Sequence, residues 1–136
     1  MNSVEPAGNR SGGSFLSVLL VEDSEVLAER LREALTALEG VRVIATVDTE
    51  SAATACVRAQ VVDVIVLDLQ LKQGSGFGVL RALGTQRPAV VVLTNYALPE
   101  YRECAERLGA DHFLNKSSDY ERLADVIGNL RDARAN

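Results

Sequence analysis

Five short apolar runs, each followed by a stretch whose apolar positions recur at helical spacing, organise the chain from about residue 17 onward. The runs at 18–21, 41–47, 61–67, 89–94 and 112–115 predict strands. The third and fourth are nearly unbroken Val, Ile and Leu, as expected of strands buried on both faces of a parallel sheet. After the first run, Leu27, Leu31, Ala34, Leu35 and Leu38 share one helix face, with Gly40 as the expected stop. An Ala-rich helix is predicted at 49–60, and another at 76–84 after a glycine-rich turn. Tyr101, Cys104, Ala105 and Leu108 mark a fourth, opened by Pro99 and closed by Gly109. Leu123, Val126, Ile127 and Leu130 mark the last, and Ser118-Asp119-Tyr120-Glu121 before it reads as a capping box.

Strictly alternating strands and helices with short connections predict a doubly wound α/β sandwich, because right-handed crossovers place helices on both faces of a parallel sheet. A flavodoxin-like strand order, 2-1-3-4-5, brings strands 1 and 3 side by side at the switch point where such sheets bind ligands. Residues 1–16 are rich in Gly, Ser and Asn without periodicity, and read as a disordered tail rather than a signal peptide. The folded domain is expected over 17–136.

Composition narrows the function. The 136 residues carry a net charge of -5 and a pI near 4.9, which opposes binding to a nucleic-acid backbone. No apolar run approaches the ~20 residues of a membrane span. Cys56 and Cys104 fall on helix faces and read as buried free thiols, which favours a reducing, cytoplasmic setting. With His112 as the only histidine, no zinc cluster or Ser-His-Asp triad can be assembled.

Candidate chemistry sits at the ends of the runs. Glu22 and Asp23 follow the first, Asp68 the third, Thr94 closes the fourth, and Lys116 follows the fifth. Carboxylates on adjacent strand ends at ~5 Å would repel by ~3 kcal/mol per pair at an effective dielectric near 20. Such a cluster takes up a proton or binds a cation, and hard oxygen ligands with room for water suit Mg²⁺. A hydroxyl from Thr94 and a point charge from Lys116 would complete a site for a phosphoryl group. Each residue also has a plain alternative: Asp23 or Ser24 as a helix cap, and a lone Asp, Thr or Lys as a solvated strand end.

These motifs together resemble a response-regulator receiver domain over nearly all of 17–135. The resemblance rests on Glu22-Asp23, on Val66-Leu67-Asp68 followed by Gly74-Ser75-Gly76, on Leu93-Thr94-Asn95, and on Phe113-Leu114-Asn115-Lys116. It implies that Asp68 accepts a phosphoryl group from a histidine kinase or His-phosphotransfer protein. It further implies that Glu22, Asp23, Asp68 and the Gln70 backbone carbonyl hold Mg²⁺. By the same likeness Thr94 and Phe113 form a switch pair, while Gln70, Asn95 and Tyr96 tune the lifetime of the phosphate. The implied protein is a phosphoacceptor switch that promotes its own phosphorylation and dephosphorylation, not an enzyme acting on a separate substrate. Output would pass through a protein partner or a homodimer face. Phe113 also reads as plain strand core.

Three departures from that pattern stand out. Lys72 and Ser117 occupy places where the family often has proline, and Asn95 replaces a smaller residue. Without proline after Lys116, a cis bond there would cost ~3 kcal/mol and is not expected. Rival classes fit less well: a haloacid-dehalogenase-type phosphatase needs a second Asp where Gln70 stands, and Gly74, Gly76 and Gly78 lack dinucleotide-binding spacing. The alternatives kept open are a phosphorylation-independent binding module of the same shape and a receiver fragment of a longer regulator, with a stand-alone receiver favoured.

Overall fold

The computed structural model describes residues 15–84, 88–95 and 98–135. Five strands and five helices alternate along the chain: β1 (Leu16–Val21), α1 (Glu25–Thr36), β2 (Val41–Val47), α2 (Glu50–Ala59), β3 (Val64–Leu67), α3 (Gly76–Leu83), β4 (Ala89–Thr94), α4 (Pro99–Arg107), β5 (His112–Asn115) and α5 (Arg122–Ala135). All strand pairs are parallel, in the order β2-β1-β3-β4-β5. This is the flavodoxin-like sandwich expected from the alternation.

The pleat sorts the strand side chains into two cores. On one face Val18, Leu20, Val66, Leu93 and Leu114 pack against Leu31 and Leu35 of α1 and Leu123 and Ile127 of α5. On the other, Leu19, Ile65, Leu67 and Val92 meet Ala53 of α2, Val79 and Leu80 of α3 and Ala105 of α4. Each fully buried Leu or Ile contributes roughly 1.5–3 kcal/mol of transfer free energy, so a charge inside either layer would be costly. Among the described residues the buried polar side chains are Glu22, Asp68 and Thr94. All three lie at carboxyl ends of strands.

Several boundaries differ from expectation, each for a local reason. Leu16, assigned to the leading tail, is buried in β1, and its N–H donates to the Gly40 carbonyl at 2.8 Å. β3 begins at Val64 rather than Val61, because Val61 is exposed and Asp63 is engaged with Ser17. α1 stops at Thr36, short of Leu38, while Gly40 at φ +78° makes the turn into β2. Gly109 does close α4: the Ala110 N–H bonds the Ala105 carbonyl and the Gly109 N–H the Glu106 carbonyl, a Schellman closure around φ +107°.

The capping box at Ser118–Glu121 does not form. Asn115 Oδ1 instead accepts from the Ser117 and Ser118 N–H groups, and Asp119 Oδ2 accepts from the Asn115 N–H at 3.0 Å. This tight turn delays α5 to Arg122. No cis peptide bond occurs among the described residues. Both cysteines are free but only half-buried, more open than expected.

Candidate functional site at the carboxyl edge of the sheet

Register carries the sequence motifs to one edge. β1 and β3 pair with Val21 opposite Leu67, so Glu22 and Asp68 leave the sheet side by side. β4 and β5 pair with Thr94 opposite Asn115, and the Lys116 N–H donates to the Thr94 carbonyl. The Glu22 N–H is tied back to Val47 of β2 and the Asp68 N–H to Val21. The strand ends are therefore anchored by backbone bonds before any side chain acts.

One oxygen from each of Glu22, Asp23 and Asp68 lies within 4.8 Å of the others. The Lys116 ammonium bridges two of them, at 2.8 Å from Glu22 Oε1 and 2.9 Å from Asp68 Oδ2. Glu22 Oε2 also accepts from the Ser24 N–H at 2.9 Å, and Asp68 Oδ1 from the Gln70 N–H at 3.2 Å. Ser24 caps α1 through its Oγ on the Leu27 N–H, so helix capping makes no demand on Asp23. A cleft of about 250 Å³ is lined by these groups with Leu27 and Asn95.

Burial pushes the Asp68 and Glu22 carboxyls above their ordinary values, and the Lys116 hydrogen bonds only partly offset it. For Lys116 burial acts to lower the pKa, but the hydrogen bonds and charges of Glu22 and Asp68 outweigh it and the value rises. One ammonium shared by two buried carboxylates, with a third beside them, leaves excess negative charge in a place where water is scarce. Such a group of oxygens could hold a metal ion, since cation binding is the cheaper relief when protonation is not available.

The structure brings Glu22, Asp23, Asp68, Gln70, Asn95 and Lys116 together around the cleft. Thr94 is fully buried at the end of β4 and is not part of the lining. Alternation puts it on the same face as Val92 and Phe113. Phe113 is buried in the core beneath α4, with the Arg102 guanidinium 4.9 Å from its ring centre. Tyr96 lies outside the described residues.

The sequence reading missed Glu50, whose Oε1 accepts from the Ser75 N–H at 3.0 Å in the loop after β3. Its signal was present in the alternating glycines. A Cβ at Gly74 or Gly78 would collide with the Glu50 side chain, and one at Gly76 with the Asp68 carbonyl at 2.5 Å.

With fold and site in view, relatives decide the family. Residues 18–128 match the response regulator receiver domain. The chain belongs to that family. The match bears out the resemblance drawn from Glu22-Asp23, Asp68, Thr94 and Lys116, and it identifies the protein as a component of two-component signal transduction. The chain is 33% identical over 117 residues to the photosynthetic apparatus regulatory protein RegA of Rhodobacter capsulatus, covering 85% of this chain and 62% of that protein. It is 36% identical over 124 residues to the probable transcriptional regulatory protein TcrX of Mycobacterium tuberculosis, covering 90% and 51%. The chain thus spans between half and two thirds of the length of these curated relatives.

Solved structures agree on the fold. The signal receiver domain of a putative Luxo repressor protein from Vibrio parahaemolyticus superposes with a TM-score of 0.79 at 27% identity, covering 89% of this chain and 92% of that one. The receiver domain of the putative response regulator NarL from Mycobacterium tuberculosis gives 0.80 at 22% identity, covering 88% and 98%. Receiver domains act in general as phosphorylation-dependent switches. Among the described residues of this one, no helix is long and apolar enough to cross a membrane.

Proposed function

We propose that Asp68 accepts a phosphoryl group from a phosphohistidine on a histidine kinase or phosphotransfer protein, and that the resulting charge is relayed to an output face. The observation that carries this reading is the Lys116 ammonium bridging Glu22 and Asp68 beside Asp23. A carboxylate oxygen of Asp68 attacks phosphorus, the P–N bond of the donor breaks, and its imidazole leaves with a proton. An acyl phosphate remains. Lys116 offers its charge, and Thr94 its hydroxyl, to the oxygens of the transferred group.

Three carboxylates with oxygens within 4.8 Å of one another fit a hard divalent cation. Glu22, Asp23, Asp68 and the Gln70 carbonyl would hold Mg²⁺, which when bound would neutralise charge on the transferring group. Asp68 and Glu22, raised by burial, must be ionised for this role, so metal binding strengthens as pH rises through their folded values. Thr94 and Phe113 share the face packed on α2, α3 and α4, which supports their reading as the switch pair. Asn95 and Gln70 border the cleft, where they would set the access of water to the acyl phosphate. The setting is cytoplasmic, and the output runs through a partner or a second copy.

Incubation with acetyl phosphate and Mg²⁺ tests the reading by intact mass. A species about 80 Da heavier is expected in the wild type and absent in Asp68→Asn. Equal uptake by Asp68→Asn would overturn it.

A further inference from the structure

The loop between Asp68 and α3 carries the Gln70 peptide, whose N–H bonds Asp68 and whose carbonyl is a proposed metal ligand. That loop is gripped from outside the cleft. Gln70 pairs with Ser75 across an antiparallel bridge, and Thr49 pairs with Gln73 across a parallel one. The Glu50 backbone N–H donates to the Gln73 carbonyl at 3.0 Å, while its carboxylate accepts from the Ser75 N–H. The same residue therefore holds the loop twice, once through its backbone and once through its side chain.

Space has been cleared for that carboxylate. A Cβ at Gly78 would lie 2.3 Å from the Glu50 carboxyl carbon and one oxygen and 2.4 Å from the other oxygen. A Cβ at Gly74, where φ is +81°, would lie 2.4 Å from the Glu50 Cβ. The carboxylate thus rests over the first turn of α3, where the amide dipoles favour negative charge. The Ser75 Oγ caps the same turn on the Gly78 N–H. The neighbouring Lys72–Asp48 pair is more than half exposed on the lysine side and holds little.

We propose that Glu50 is a positioning residue for the phosphoryl site: by fixing Ser75 it fixes the paired Gln70, and so the backbone that borders Asp68 and the metal. This rests on the reading of Asp68 and Mg²⁺ given above. Glu50 is not among the residues that line the cleft around Asp68. Partners that orient ligands from outside typically change metal affinity by about 10–100-fold, and a brace acting through backbone belongs at the low end.

The test uses the full chain in four forms: wild type, Glu50→Ala, Glu50→Gln and Gly78→Ala. Mg²⁺ affinity is measured by calorimetry and amide hydrogen exchange in the metal-free protein. Glu50→Ala is expected to weaken Mg²⁺ binding by about ten-fold and to speed exchange at both Ser75 and Gln70, with Ser17 at the far end of the sheet unchanged. Glu50→Gln keeps an acceptor oxygen and is expected to restore affinity to within about two-fold. Gly78→Ala displaces the carboxylate by collision and is expected to weaken binding like Glu50→Ala, although Ala is the better helix former. It also keeps the test decisive if Glu50→Ala fails to fold.

Unchanged Mg²⁺ affinity in a folded Glu50→Ala or Gly78→Ala variant overturns the proposal. So does faster exchange at Ser75 without any change at Gln70. In either case the wild-type protein still gains its 80 Da on Asp68, leaving the phosphoryl reading intact (about 80 Da for HPO₃). A wild type that binds no Mg²⁺ and gains no mass overturns both.

Discussion

The two ends of β3 each carry an aspartate, and the two are solved in opposite ways. Asp63, before the strand, accepts from the Ser17 N–H and Oγ and is paired with Arg134. Arg134 also bonds the Phe15 carbonyl, so this network pins the end of α5 to the start of β1. Asp68, after the strand, is more deeply buried yet has one backbone N–H and half of a shared lysine. The Asp63 contacts gather on Oδ2 and tie strand to strand and strand to helix, whereas the Asp68 oxygens face a lysine that is shared with Glu22 at the rim of a cleft. The same side chain, four residues of strand apart, is a fastener at one end and the proposed phosphoacceptor at the other.

Removing the buried cation should separate the ends most clearly. Lys116→Ala leaves two buried carboxylates without their ammonium and is expected to cost about 3 kcal/mol in denaturant titrations without metal. Because the folded Lys116 pKa is raised above 10.5, its contribution is complete at neutral pH and is lost only as pH climbs through that raised value. Excess Mg²⁺ should recover part of the loss, and an equal loss with and without Mg²⁺ would break the link to a metal.

Asp63→Ala is expected to cost about 2 kcal/mol by orphaning the Ser17 N–H and Oγ, with phosphoryl uptake from acetyl phosphate unchanged. Reduced uptake in the folded variant would mean that the two ends are coupled. Asp68→Asn should do the reverse, abolishing uptake while stabilising the fold by about 1 kcal/mol at pH 7. The sign follows from its raised folded pKa: the carboxyl adds stability below its ordinary value of 3.8 and loses it as pH rises through the folded value. The gain from Asn should therefore vanish in acid, and a lower Tm at pH 7 would contradict the argument. Smallest of all, Arg134→Ala should change stability by less than about 1 kcal/mol, since the side chain is 44% exposed and such pairs are weak. Raising the salt concentration should shrink even that difference.

Why β2, β4 and β5 were legible to the residue is clear from their surroundings. Their apolar runs end at Gly40, Pro88 and Gly109 or at polar strand tips, so local chemistry and tertiary packing agree. Legibility failed where a side chain reached across the chain. Asp63 interrupts the run at 61–67 because of Ser17, which is 46 residues away. Ser118 and Glu121 look like a capping box, but Asn115 Oδ1 takes the Ser118 N–H that Glu121 would have bonded. Glu50 reaches Ser75 over 25 residues, and only the gaps at Gly74 and Gly78 hint at it. The site itself was legible because its residues sit at strand ends, where topology alone brings them together. The split between Ser24 as cap and Asp23 as cluster member needed coordinates.

The shared lysine also sets a count. Glu22, Asp23 and Asp68 against one ammonium leave, when all are ionised, a formal balance of two negative charges. A monovalent ion would leave the cleft repelling an anionic donor, and a trivalent one would leave it attracting any anion. On the proposed metal-binding role, a divalent ion would bring the cleft to electrical neutrality, so valence would act as a filter set by a single Lys, and an approaching phosphoryl donor would meet a site that neither repels it nor grips it indiscriminately.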